Sequence, residues 1–534
     1  MKRVNILWIT GLVLGWFFDF LFWKAGLGIN FAIYAALCLA GGFLVLSLNG
    51  IKPSWKALIL LVPILFFAAI TFMRLESLTQ FLAFVLTLGL MGLLTATFLG
   101  GRWPVYSLSD YVVNFVRLAG SMIARPFIFR AERQKAGLAA ASADNPPTDR
   151  KPGWKRFWAV FRGVVIALPI IVLFAALLSS ADLVFAQRLD DFIKLFRIER
   201  LPEYIFRGAY VLIGAYALMG LILHAAQKSQ GEKLIGMEKP LVAPFLGFTE
   251  ASIVLGAVVL LFAAFVIIQF QYFFGGQTNI GLEGYTYSEY ARRGFGELVA
   301  VAFFSLLLFL GLSSIVQRSS TTQRRTFSGL GIGMVALVAV ILVSAFQRLL
   351  LYEAAFGFTR LRMYTHIFMI WLGVLLVAVV VLEILRRERL FAALALLASL
   401  GFAASLALVN VDGAIVHQNV SRAAAGKDLD VPYLASLSTD AVPALVFEFQ
   451  DRSTSGTLHD AVGAVLACRQ LMDSHPNADW RTFTFSRWQA DRAVGQVQQQ
   501  LEDYETIESD RSLTIASPAG TDYDCYNLYG SSGD

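Results

Sequence analysis

Eleven runs of about twenty apolar residues punctuate this sequence, and they limit its folding more than any other feature. In hydrocarbon, backbone N–H and C=O groups have no water to bond. Each run must therefore satisfy its own backbone as a helix, and about twenty residues are needed to cross. The runs are Val4–Trp23, Phe31–Leu48, Trp55–Met73, Leu78–Leu99, Phe157–Ser180, Ile205–Ala226, Thr249–Phe274, Phe295–Val316, Phe327–Leu349, Tyr364–Leu385 and Leu390–Asn410. The fold class they predict is an all-α integral membrane protein with a small, mainly helical domain after the last span. Composition agrees: only 15 % of residues are charged, against about 25 % in soluble domains.

The spans divide the chain into four parts. Residues 1–125 form a four-helix membrane part ending in an amphipathic interfacial helix, Tyr111–Ile123. Residues 126–156 are rich in Arg/Lys and then Ala/Ser/Asp/Pro, and read as a flexible linker. Residues 157–410 supply seven more spans, and 411–534 a terminal domain. The stretch Ala181–Glu203 reads as a second interfacial helix.

Charge is distributed unevenly. Residues 411–534 hold 8 Lys/Arg and 18 Asp/Glu, a net of −10; the whole chain is +6, so residues 1–410 carry +16. The basic residues sort by loop. Lys2/Arg3, Lys52/Lys56, the segment 100–156, Lys228/Lys233/Lys239, Arg318/Arg324/Arg325 and Arg386/Arg387/Arg389 all fall on one side of an eleven-span chain. The positive-inside rule makes that side cytoplasmic and places the terminal domain outside. A basic start before an apolar run also suits a cleaved signal peptide. This run, however, is longer than an h-region and ends in Trp16-Phe17-Phe18-Asp19-Phe20 rather than small residues, so a retained span is expected. An acidic tail on a basic membrane part argues against a nucleic-acid partner.

Within the terminal domain, Ser438-Thr439-Asp440 offers N-caps and Pro443 suits a first helical turn. Leu458–Met472 has a helical apolar pattern, and Ser486 with Gln489 fits a capping box opening a helix to about Tyr504. Cys468 and Cys525 both lie here, where an oxidising compartment would let them pair, whereas Cys38 reads as a small buried hydrophobe. The five histidines make no metal-ligand spacing, and no Walker A loop, Cys-x-x-Cys or other cofactor motif occurs. Gly329, Gly331 and Gly333, like Gly11 and Gly15, read as close helix packing.

Charged and aromatic residues gather near the outer ends of the spans. Tyr287, Glu289, Tyr290, Arg292, Arg293 and Glu297 lead into one span, with Glu289, Arg293 and Glu297 spaced as an i, i+4 ladder. Arg348, Tyr352, Glu353, Arg360 and Arg362 flank another loop, and Asp19 sits near the outer end of the first span. Arginines on that side oppose the charge rule and need a local reason. One reading is a self-neutralising network, Arg348 with Glu353 and Arg293 with Glu289 or Glu297. The other is an anion or headgroup site, since guanidinium forks match carboxylate and phosphate. Convergence of Arg292, Arg293, Arg348 and Arg360 is the geometric expectation of a shared site. Glu383, at the inner end of its span, is expected to snorkel or pair with Arg387.

These residues carry a resemblance. Tyr287-Ser288-Glu289-Tyr290-Ala291-Arg292-Arg293-Gly294-Phe295, after Gln271-Tyr272-Phe273-Phe274-Gly275-Gly276, resembles the hallmark of domain of unknown function 4173 and the related 4153 group. Ser344–Arg348, Leu351–Glu353, Phe358–Arg362, Asn419–Arg422 and Gly426–Asp430 resemble its later blocks, over roughly residues 160–450. The resemblance implies a bacterial inner-membrane protein and supplies no activity. Three functions fit: a non-enzymatic envelope sensor or scaffold that binds a ligand or protein partner at its outer face; a transporter or flippase of a small anionic or lipidic substrate; and a membrane-embedded transferase using a lipid-linked donor, with Glu297, Glu289 or Asp19 as its base.

Overall fold

A computed structural model of the chain describes residues 3–144, 154–182, 184–189, 201–230, 234, 244–274, 295–451, 456–472, 479–509 and 512–525. Twelve long helices precede the terminal domain: α1 (Val4–Phe22), α2 (Ile29–Leu48), α3 (Trp55–Met73), α4 (Ser77–Ala96), α5 (Leu108–Asp144), α6 (Trp154–Ala181), α7 (Leu201–Gln227), α8 (Phe248–Phe274), α9 (Phe295–Ile315), α10 (Thr321–Phe356), α11 (Arg360–Leu385) and α12 (Phe391–Val409). Among the described residues, eleven helices are long and apolar enough to cross a membrane. Ten of them coincide with runs read from the sequence. The eleventh is the Leu108–Lys135 part of α5, which contains the expected interfacial segment. The expected span Phe157–Ser180 lies within α6, of which Pro169–Ala181 is an apolar piece.

Apart from α5 and α6, successive helices alternate between two faces of the bundle. One, here the basal face, collects Val4, the α2–α3 and α4–α5 turns, Gln227 and the α9–α10 turn. Backbone bonds tie these ends together: Ser54 N–H to the Phe98 carbonyl (2.8 Å), Gly100 N–H to Ser229 (3.0 Å) and Gln317 N–H to Leu246 (2.9 Å). The other, the capped face, carries the terminal domain. From Phe115 to Phe129, helix α5 packs on the basal half of the bundle. Phe115 abuts Gly92 near the end of α4. Ser121 bonds His224 at 2.7 Å, Arg125 reaches Gln227 at 3.4 Å, and Phe129 packs with Val4 and Leu7. A helix crossing the bilayer would have left the basal ends by Phe129, some twenty residues on. Instead α5 lies across them, and its helix continues to Asp144, through residues read from sequence as a flexible linker.

Small residues set the helix spacing. A Cβ on Gly11 would come within 2.7 Å of Met219, and one on Gly15 within 2.7 Å of the Val211 carbonyl, so α1 and α7 touch backbone to backbone. Gly331 similarly admits Phe309, whereas Gly329 and Gly333 face open space. Glu383 does not take Arg387: its carboxylate accepts from Ser328 (2.5 Å) and lies 3.9 Å from Arg318, because α10 and the α9–α10 turn reach its buried side while Arg387 follows the helix end.

The terminal domain begins one residue after α12. Asn410 takes a left-handed turn (φ 52°) and caps α13 (Val411–Ala424). Then follow α14 (Val431–Ala435), α15 (Val442–Gln450), α16 (Gly456–Met472), α17 (Phe485–Val494) and α18 (Gln498–Leu501). The chain ends in an antiparallel sheet, β1 (Glu505–Ser509), β2 (Ser512–Ala516) and β3 (Asp522–Asp524). Ser438 caps the short turn before α15 and Pro443 lies in its first turn. Two expectations fail here. Thr484, not Ser486, precedes α17, and that helix stops at Val494 instead of running to Tyr504. Ser486 is buried with its hydroxyl turned to Thr439, so it does not cap, and the β-branched and charged stretch after Tyr504 pairs as strands. A disulfide joins Cys468 of α16 to Cys525 beyond β3, with Cα atoms 5.4 Å apart. The domain core of Ile415, Leu445, Val465, Cys468 and Ile515 is continuous with Leu406 and Ile367 of the membrane bundle.

Candidate functional site

The charged residues of the capped face form three buried nodes, beginning with the α10–α11 turn. Gly357 has φ +84°, and a Cβ there would meet the Asn419 side-chain oxygen at 2.7 Å. Asn419 reads the next residue with both ends of its amide, accepting from Phe358 N–H and donating to Phe358 C=O, each at 2.9 Å. That fixes the start of α11 against α13. Arg360 then points its fork at Asp412, the second residue of α13, with N···O distances of 2.7 and 2.6 Å. Asp412 is fully buried and also accepts the Ser438 N–H (2.7 Å), while the Arg360 N–H donates to the Tyr433 hydroxyl (2.9 Å). Burial pushes the Tyr433 phenol above its ordinary value. Arg362 donates to the Gly357 carbonyl and covers the Tyr352 ring at 4.3 Å.

The α3–α4 turn extends this node. Asp440 accepts the N–H groups of Leu75 (2.7 Å) and Glu76 (2.8 Å), with Arg74 4.0 Å away. Glu76 caps α4 through Leu78 N–H (2.9 Å) and Thr79 N–H (2.8 Å), and also receives the Tyr364 hydroxyl. Three spans and the terminal domain are thereby locked at one junction.

The second node is inside the bundle. Glu353 of α10 is fully buried and faces His366 of α11 at 3.2 Å, against Phe346. The sequence expectation for Glu353 was Arg348; Arg348 itself is half-buried, five residues back along the same helix.

The third node surrounds Asp19. Its buried carboxylate takes the Arg207 fork at 2.9 and 2.5 Å and the Tyr210 hydroxyl. Arg207 stacks over Trp23 (5.0 Å), Trp23 donates to Glu203 (2.9 Å), and Lys24 lies 3.4 Å from Glu203. The terminal domain closes over this node too. Arg481 donates to the carbonyls of Phe20 (2.7 Å) and Trp23 (3.3 Å), and Ile29 N–H bonds Phe483 (2.9 Å). Asp479 holds Arg481 in place (2.7 Å), and that guanidinium together with the Arg481 N–H keeps the carboxyl below its ordinary range.

Of the residues singled out from sequence, Asp19, Glu353, Arg360 and Arg362 take up these positions. Glu297 sits in the first turn of α9, exposed. Tyr287, Glu289, Tyr290, Arg292 and Arg293 lie outside the described residues, and with them the expected four-arginine convergence. Sequence reasoning missed Arg74, Glu76, Arg207, His366, Asp412 and Asp440 as partners. A usable signal existed for three of them: Glu76, Asp412 and Asp440 each stand in or just before the first turn of a helix, where carboxylates are favoured. Chemically, the carboxylates of Asp19, Glu76, Asp412 and Asp440 are engaged by guanidinium groups, hydroxyls or backbone N–H groups, whereas buried Glu353 has the His366 Nδ1 3.2 Å away and, among the described residues, no hydrogen bond to either oxygen. The arrangement suits holding helices and a domain in register.

No curated protein and no solved structure matches the chain. One family model does, over residues 61–447. That span includes the Arg360–Asp412, Glu76–Asp440 and Glu353–His366 contacts, and it leaves out Asp19 and the disulfide. Of the two groups that the Tyr287–Phe295 block resembles, the match is to the second, and because it covers well over half of the sequence, the chain belongs to the family described as Domain of unknown function (DUF4153).

Proposed function

We propose that this protein is a non-enzymatic membrane scaffold or sensor, with its N-terminus in the cytoplasm and its terminal domain outside, that presents this domain to a ligand or partner in the cell envelope. The single observation that carries the reading is the Arg360–Asp412 clamp with its Ser438 and Tyr433 bonds. It commits one of the outer arginines expected at an anion site to holding the domain instead. At the first span the Arg481 contacts also bind the domain, beside the Asp19–Arg207 pair that ties α1 to α7. Orientation is supported by Lys52, Lys56, Lys228, Arg318 and Arg386 on the basal face, and by a disulfide that suits an oxidising compartment.

The test is reconstitution in sealed vesicles, with release of trapped small anions and flipping of labelled lipids measured for wild type and Glu353→Gln. Under the scaffold reading neither exceeds the rate of empty vesicles. Flux or flipping that wild type supports and Glu353→Gln abolishes would replace this reading with transport.

A further inference from the structure

A second feature belongs to the basal face and is independent of the outer nodes. Beneath α5, between α2, α4 and α7, lies a cavity of about 440 Å³. Its walls are apolar side chains such as Leu39, Phe43, Met91 and Leu221. Among its lining residues Thr95 carries the one hydroxyl, and that donates to the Met91 carbonyl (2.8 Å). Water needs two to four polar partners to occupy a void, so this one excludes water. A packed interior also resists leaving such a volume empty. Helix α5 roofs it with Phe115, Leu118, Ala119 and Met122, four residues at helical spacing.

The same stripe of α5 continues one turn on to Arg125, which reaches Gln227 at 3.4 Å beside Lys228. The rim at the basal end of the cavity is therefore cationic, while its interior is hydrocarbon-like. From Leu108 to Lys135, α5 carries five Arg/Lys and two Asp/Glu, so the roof as a whole is basic. Such a helix is drawn to anionic lipid. Gly42 lines the cavity with nothing within 4 Å of where its Cβ would stand, so the floor is open where a side chain would fill it.

We infer that this cavity seats an acyl chain of an anionic phospholipid from the basal leaflet, with Arg125 and Lys228 holding the headgroup. The chain supplies the apolar contacts that the walls lack, and the phosphate completes the rim's charge. Neither a soluble anion nor a zwitterionic lipid satisfies both halves of the site.

The experiment uses the full chain in nanodiscs with equal amounts of phosphatidylglycerol and phosphatidylcholine bearing the same acyl chains. Retained lipid is counted by native mass spectrometry after release. Wild type is expected to retain phosphatidylglycerol in preference. Gly42→Leu should lower retention by roughly tenfold or more, as expected when several methylenes lose their seat. Ala119→Leu, which fills the void from the roof, should act in the same direction. Gly89→Leu, on α4 but with open space around it and outside the cavity lining, should retain lipid as wild type does. Arg125→Gln with Lys228→Gln should keep a bound lipid but lose the headgroup preference. Three results would each overturn the proposal: equal retention of both lipids by wild type, undiminished retention in either filling variant, or a preference untouched by the charge variants. A filling variant that fails to fold is set aside in favour of the other and the charge pair.

Discussion

Replacing Arg360 with Met removes the guanidinium while keeping most of the stem's volume. Asp412 is then left fully buried with the Ser438 N–H (2.7 Å) as its remaining hydrogen bond. Two unit charges about 4 Å apart attract by about 4 kcal/mol at an effective dielectric constant near 20. The Arg360 side chain is 28 % exposed, so solvent screening takes part of that away. Stranding a buried charge costs about 3–5 kcal/mol in comparable pairs. A loss of about 3 kcal/mol is the expected result, and it acts on the seat of α13 against α11. At about 1.4 kcal/mol per decade, the opening equilibrium rises by roughly two orders of magnitude. Hydrogen exchange read by mass spectrometry across Val411–Ala424 measures that opening directly. Exchange there should speed about a hundredfold in Arg360→Met. In the double variant Arg360→Met/Asp412→Leu it should return to within about tenfold of wild type, because no charge is left buried. The reasoning is refuted if the single variant exchanges within about threefold of wild type, or if the two substitutions simply add.

Three further outcomes follow from the same geometry. Cys468→Ser with Cys525→Ser opens a loop of 57 residues, which chain entropy values at about 4 kcal/mol; the strands β1–β3 should lose exchange protection while α13 keeps it. Single cysteines at Ser107→Cys and Lys135→Cys should both label from the side that labels Lys228→Cys, because α5 lies across the basal ends; labelling from opposite sides would show that it crosses. Asp479 is held below its ordinary value of 3.8 by Arg481. Its folded form therefore loses its proton more readily than its unfolded form, and its contribution is complete above pH 3.8 and lost as pH falls through the lower folded value. The protection of Trp480–Phe483 relative to intrinsic amide exchange should be flat above that range and fall below it, and Asp479→Asn should remove that pH dependence of the protection.

The sequence alone determined that this is a membrane bundle with a separate terminal domain. Ten spans could be read within a few residues because hydrocarbon forces each apolar run into a helix whatever its neighbours do. Helix starts in the terminal domain were legible at Ser438 and Pro443, where capping is a local matter. Local patterns failed where tertiary packing redirected a side chain. Ser486 has the spacing of a cap, but its hydroxyl is turned inward to Thr439. The candidate site divides the same way. Asp19, Glu353 and Arg360 stood out as charges near the outer ends of the spans, which is a property of the chain. Their partners Arg207, His366 and Asp412 are 188, 13 and 52 residues away, and nothing in a linear pattern links such distant charges. Only the folding of the helices decided that these arginines hold carboxylates of their own chain, because a buried charge takes whatever opposite charge packing brings within reach.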